Sequence, residues 1–223
     1  MGLNTSNTMS EITPKDMLEK VKIKRESHWC IYSSSYDRGL QNLLEIWSDV
    51  IKEVPEARLH IFYGWQLFKK FYANNPERMA WMEKMNNLMT QEGVTHYGRV
   101  PQPEMEKWMK QCGIFAYPSH FREINCISAI KAQVFGCVPV VTDFAALQTT
   151  VQSGVRVQGD IYENVCLAPD TKTAYRDALI KALKDEEWQK AEREKGKEFA
   201  KKFTWDQVVS EWDEEFRKEE KNG

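Results

Sequence analysis

Short apolar runs alternate along the chain with longer segments of helical periodicity. The runs at 29–33, 58–63, 94–100, 114–117, 138–142 and 155–158 read as strands, mostly apolar throughout instead of strictly alternating. Between them, Leu40, Leu43, Leu44, Trp47, Val50, Ile51 and Val54 recur at helical spacing. Helical patterns also fill 66–73, 77–90, 103–111, 126–135, 171–184 and 186–202. A last one starts at Phe203-Thr204-Trp205-Asp206 and carries Val208, Val209, Trp212 and Phe216 on one side to about Lys218. Residues 1–12 are polar and are expected to be disordered, and Thr13-Pro14 predicts a short helix to about Lys24. The alternation predicts an α/β fold, a Rossmann-like parallel sheet with helices on both faces. Three parts are expected: a leader over 1–27, the layered domain over 28–202 and a closing helix over 203–223.

One βαβ unit, Ile114 to Thr142, organises the rest. Its first strand ends at Pro118, a polar loop runs from Ser119 to Asn125, and a helix from Cys126 to Phe135 stops at Gly136. In an open parallel sheet a loop of this kind lies where ligands bind. The free N–H groups and positive dipole end of the helix favour an anion. Arg122, Glu123 and Asn125 therefore stand where a phosphate and its attached group could be held. The plainer alternative is an ordinary crossover with a solvated charged loop. A second strand-to-helix loop, Ser33-Ser34-Ser35-Tyr36-Asp37-Arg38-Gly39, offers hydroxyls and one arginine. Arg38 reads either as a solvated turn charge or as a phosphate clamp, for which a rigid, always-charged fork suits. His96 and the Met-rich stripe at Met82, Met85 and Met89 read as structural, and so does Trp65. The helices over 171–202 are highly charged and read as solvated.

Composition excludes several classes. The 223 residues carry 31 basic against 33 acidic side chains, mixed along the chain, so there is no footprint for nucleic acid. Five scattered cysteines without paired spacing point to reduced thiols in a cytosolic protein and away from zinc. No apolar stretch approaches the ~20 residues of a membrane span.

The residues of the central unit resemble the donor-binding motif of family 4 glycosyltransferases of the GT-B fold. The matching positions are Tyr117-Pro118-Ser119, Glu123 and Gly136-Cys137-Val138-Pro139-Val140. Ser34 to Leu40 resembles that family's first loop, where a basic residue followed by glycine, here Arg38-Gly39, contacts the donor diphosphate. Gly64 follows the strand that faces the nucleotide cleft, and Gly98-Arg99-Val100-Pro101 resembles the loop that reaches the nucleobase. The Phe203-Thr204-Trp205 entry is similar to the closing helix.

The resemblance implies the C-terminal, donor-binding domain of a retaining transferase. Its ligand would be a nucleoside diphosphate sugar (uridine or guanosine), bound without a metal or other cofactor. Glu123 would act in catalysis at the sugar hydroxyls. Ser34, Arg38, Gly39, Gly64, Arg99, Val100, Asn125, Cys126, Ile127, Ser128 and Lys131 would bind the donor. At Lys131 the sequence departs from the family, which has a second glutamate there to grip the ribose. Lysine has only donors, so a non-catalytic nucleotide-sugar-binding or assembly module of the same fold is the alternative. A separate N-terminal acceptor domain or partner chain is expected, because few residues precede the first strand.

Overall fold

The structure is a computed structural model that describes residues 24–222. The predicted helix from Thr13 lies outside the described residues. Six strands form one sheet: β1 (Glu26–Tyr32), β2 (Arg58–Phe62), β3 (Val94–Gly98), β4 (Cys112–Tyr117), β5 (Val138–Thr142) and β6 (Val155–Val157). Their spatial order is β3-β2-β1-β4-β5-β6 and every pairing is parallel. Every residue of β4 and β5 is buried, which is why these strands read as unbroken apolar runs: both faces are covered.

The helices are α1 (Leu40–Glu53), α2 (Gln66–Tyr72), α3 (Pro76–Leu88), α4 (Gln102–Gln111), α5 (Ile127–Val134), α6 (Leu147–Thr150), α7 (Pro169–Lys184), α8 (Glu186–Ala200) and α9 (Trp205–Asn222). Helix α1 packs against α7, and α5 against α8. Two caps set helix starts locally: Asn75 accepts from the Arg78 amide at 3.1 Å, and Asp185 from the Trp188 amide at 2.9 Å.

Several boundaries differ from the sequence reading. Strand β1 begins at Glu26, three residues early, through an irregular register against β4. Strand β3 ends at Gly98, whose φ of 71° turns the chain before Arg99. A small antiparallel ribbon, β7 (Ile161–Tyr162) with β8 (Cys166–Leu167), was not expected. Helices α7 and α8 are not merely solvated. Tyr175, Leu179 and Leu183 are buried, and the Tyr175 hydroxyl donates to the Val140 carbonyl at 2.7 Å. Glu192 is buried too and accepts from the Gly154 amide at 2.8 Å. Along α9, Val209, Trp212 and Phe216 stay exposed.

Two loops meet because one residue between them has no side chain. Gly39 links a short 3₁₀ turn, Tyr36–Arg38, to α1 with φ 126°. A Cβ there would lie 2.3 Å from the Pro118 carbonyl oxygen. The β1–α1 loop thus rests directly on the backbone that leaves β4. Gly39→Ala should lower stability by about 2–4 kcal/mol, from left-handed strain plus a backbone clash. Urea unfolding checks this; an unchanged midpoint would show that the loops part without penalty.

Beneath α4 lies an aromatic cluster around His60. Trp29 and Trp108 sit 4.6 and 4.7 Å from its ring, and Tyr97 bonds its Nδ1 at 3.0 Å. His60 Nε2 is buried without a partner. Burial, with Arg58 adding repulsion, pushes the His60 pKa down to about 4. The unfolded chain takes up this proton below about pH 6.5, whereas the folded chain resists until about pH 4. Stability should therefore fall as pH drops through that window, with a slope of up to about 1.4 kcal/mol per pH unit. His60→Leu should flatten the acid limb of a stability–pH curve; an identical limb would contradict the assignment.

Candidate functional site

The sheet reverses its winding between β1 and β4, the two strands that start its halves. Loops leaving neighbouring carboxyl ends there diverge to opposite sides, and a crevice opens between them. A cleft of about 290 Å³ occupies this edge. Ser33 enters it after β1, Tyr63 and Gly64 after β2, Arg99 and Val100 after β3, and Ile127 and Ser128 at the start of α5. Gln66, Leu67, Gln102 and Lys131 complete its polar and apolar walls over a Met105–Met109 floor.

The walls are tied together by the backbone. The Ser128 hydroxyl donates to the Ser33 carbonyl at 3.1 Å, which fixes the start of α5 to the end of β1. The Gly64 amide donates to the Tyr36 hydroxyl at 2.7 Å, and Tyr36 also bonds His96 Nε2 at 2.5 Å. Tyr63 is held at φ 134°, a backbone state that costs a non-glycine residue about 1–3 kcal/mol. The Ser33 hydroxyl is buried and has no hydrogen-bond partner. Helix α5 has no side chain capping its N-terminus. Of the first amides of α5, Ile127 donates to the Asn125 carbonyl and Ala129 and Ile130 to the Cys126 carbonyl, so the unused side-chain group at this end is the Ser33 hydroxyl.

Lys131 lies on the cleft wall. Its Nζ donates to Gln102 Oε1 at 2.9 Å, bridging α5 to the first turn of α4.

A second cluster adjoins the cleft. Arg38 Nη1 lies 3.3 Å from both carboxylate oxygens of Glu123, and its guanidinium stacks 4.1 Å over the Phe121 ring. The Tyr117 hydroxyl donates to Glu123 Oε1 at 2.6 Å and meets the Ser34 hydroxyl at 3.2 Å. Burial opposes the charge on Arg38, but Glu123 beside it holds its pKa above the ordinary value. Burial also drives the Tyr117 phenol well above its usual range, so it remains a donor to Glu123.

Of the residues singled out from sequence, Gly64, Arg99, Val100, Ile127, Ser128 and Lys131 line the cleft. Ser34, Arg38 and Glu123 do not; they form the adjoining cluster, where the arginine faces the glutamate instead of open space. Gly39 lies under Pro118 and serves the approach of the two loops. Asn125 is exposed outside the cleft lining, and Cys126 is buried at the α5 N-cap. Burial raises the Cys126 thiol to about 12, so it stays protonated. Trp65 packs against Tyr36, Phe68 and Trp81, away from the cleft. Arg122 pairs with Glu163 at 2.8 Å.

Ser33, Tyr63, Gln66 and Gln102 were not singled out as binding residues. Their signal was position alone: each closely follows a strand end. Asn42 was also missed. Buried in α1, it donates to the Pro118 carbonyl at 3.1 Å and accepts from the Leu167 amide at 3.4 Å, holding the β4 loop to the small ribbon. A wider hollow of about 720 Å³ lies between α1 and α7. It is lined by charges that largely pair with one another, such as Lys184 with Glu53 at 2.7 Å, and no strand end opens into it. Among the described residues no group of three or more His, Cys, Asp or Glu is arranged to hold a metal ion. No helix among them is long and apolar enough to cross a membrane.

Comparison with known proteins agrees with this architecture. An uncharacterized glycosyltransferase of Methanocaldococcus jannaschii is 24% identical over 134 residues, covering 57% of this chain and 35% of its own. A crystal structure of a GtfA/B complex is similar with a TM-score of 0.68 at 13% identity, covering 88% of this chain and 37% of that one. The pneumococcal O-GlcNAc transferase GtfA, in complex with UDP and GlcNAc, is similar with a TM-score of 0.63 at 16% identity, covering 87% and 36%. This chain thus spans little more than a third of each of these relatives. Its layered sheet matches one Rossmann-like half of a GT-B fold. The family described as glycosyl transferases group 1 matches residues 16–202, and the chain belongs to that family.

Proposed function

We propose that this chain is the donor-binding part of a retaining glycosyltransferase that takes a nucleoside diphosphate sugar. One observation carries the reading: loops and helix starts that follow four adjacent strands, including both at the winding reversal, converge on one cleft with the unpartnered Ser33 hydroxyl beside α5. In this reading the Ser33 hydroxyl and the positive end of the α5 dipole receive the diphosphate, while Ser128 holds the two segments together. Gly64, Arg99 and Val100 border the nucleoside.

Arg38 and Glu123 supply the chemistry beside the cleft. Their 3.3 Å contact neutralises both while no ligand is present. A diphosphate arriving at Ser33 competes for the guanidinium and frees Glu123 to accept from sugar hydroxyls. As the sugar–diphosphate bond breaks, charge grows on the departing oxygen, and Arg38 with the α5 N-terminus lies on the side where it accumulates. The acceptor hydroxyl oxygen then bonds to the same face of the sugar, and its proton passes to the departing diphosphate oxygen. These cations and dipoles take the part a metal could otherwise play. Support from relatives is their family and the UDP and GlcNAc bound by the pneumococcal enzyme. The acceptor side is assigned to a further domain or a partner chain. Five free cysteines, four of them buried, suit the reducing cytosol.

A second reading is a nucleotide-sugar-binding or assembly module without transfer. Lys131 favours it, since an ammonium on the cleft wall cannot accept from ribose hydroxyls.

Calorimetric titration with UDP, GDP and their hexose conjugates tests the common core of both readings. At least one should bind with unchanged affinity in EDTA. Arg38→Gln should weaken it by about 10-fold or more, the value of a charge-assisted bond. If no nucleotide binds the parent chain, the donor-site reading fails and only the assembly role of the second reading is left. If binding is intact but an added acceptor half yields no transfer, the second reading stands.

A further inference from the structure

The polar lining of the cleft is unbalanced. Arg99 and Lys131 both face it, and no aspartate or glutamate does. Lys131 spends one of its three donors on the neutral Gln102 amide oxygen at 2.9 Å, which leaves its charge uncompensated within the cleft. Gln102 Oε1 thereby keeps one of its two lone pairs. Among the side chains of the lining, only Gln66 retains an amide oxygen free of a lysine donor.

A sugar diol is a poor match for such a wall. Its hydroxyls must donate as well as accept, and arginine and lysine accept nothing. A phosphomonoester matches it well. It offers only acceptor oxygens at neutral pH, and lysine serves phosphate as a point charge while arginine grips it with a fork. The partnerless Ser33 hydroxyl, tied through its own carbonyl to Ser128 one turn before Lys131 on α5, adds an uncharged donor to the same cleft. The cleft therefore offers an anion two side-chain cations, Lys131 and Arg99, beside the Ser33 hydroxyl, with no carboxylate in the lining to oppose it.

We propose that the cleft takes a nucleotide carrying a second anionic group, a phosphate on its ribose set apart from the 5′ phosphates, held by Lys131 and Arg99. This rests on the reading of the cleft as a nucleotide site and specifies which nucleotides it prefers. The physical logic is that of dinucleotide folds, where a carboxylate selects a free ribose hydroxyl and a cation accommodates a ribose phosphate. The rival explanation is that Lys131 acts only as a tie between α5 and α4 through Gln102.

The test is calorimetry on the full chain with five probes: UMP, uridine 3′,5′-bisphosphate, AMP, adenosine 3′,5′-bisphosphate and UDP. In at least one base series the bisphosphate should bind about 10-fold or more tighter than the monophosphate, as expected for one added charge-assisted contact. Lys131→Gln should reduce that ratio to about 3-fold or less, and Lys131→Glu should invert it. Lys107→Gln, on the exposed side of α4, should leave it unchanged. Thermal melts establish that each variant is folded. Equal binding of mono- and bisphosphate to the parent, or a preference that survives Lys131→Gln, overturns this inference. If UDP still binds in those cases, the nucleotide reading itself stands. A parent chain that binds none of the five probes overturns this inference, and if GDP fails to bind as well the nucleotide reading falls with it.

Discussion

Parallel pairing of β1 with both β2 and β4 is the constraint from which the site follows. Strands that run the same way cannot be joined by a tight turn, so each must hand the chain to a helix and recover it at the far edge. All the strand-to-helix loops then leave from one edge. Because the winding reverses between β1 and β4, their loops diverge, and the space between them is not filled by a crossing connection. The cleft needs no special residues to exist. It needs them only to choose a ligand.

What the residues add is a distribution of charge. Around the start of α5, polar groups are either satisfied by the backbone, as with Ser128 on the Ser33 carbonyl, or left unused, as with the Ser33 hydroxyl. Arg38 and Glu123 are satisfied by each other, and Tyr117 fixes the glutamate from beneath. In this ion pair each charge compensates the other, so removing either partner would leave the other uncompensated at the cleft margin. The Gly39 contact with Pro118 makes that pair geometrically available, since it seats the loop of Arg38 on the backbone that leads to Glu123.

The layered sheet was legible because β4 and β5 are buried on both faces and so appear as plain apolar runs bounded by Pro118 and Gly136. The helix faces were legible from spacing, as with Leu43, Trp47 and Val50 of α1. Other features left no local pattern. The β7–β8 ribbon has two residues per strand, too few for any periodicity. The burial of Tyr175 and Glu192 depends on sheet and loop groups met far along the chain, so their charged surroundings were misleading. The largest gap concerns Arg38 and Glu123. Each was identified as a chemical group in a loop at a strand end, yet their mutual contact spans 85 positions and no spacing rule reports it. Lys131 was conspicuous as a departure from a motif, but only the fold puts it on the same wall as Arg99.

The central claim is that the carboxyl edge of this sheet, and not the charged hollow between α1 and α7, receives the ligand. Hydrogen–deuterium exchange of the full chain with and without saturating UDP tests it directly. The account predicts slowed exchange confined to the segments after β1, β2 and β3 and to the start of α5, around Ser33, Gly64, Arg99 and Ser128. Protection that appears instead along Asp49–Glu53 and Arg176–Lys184, with the strand-end loops unchanged, would contradict it.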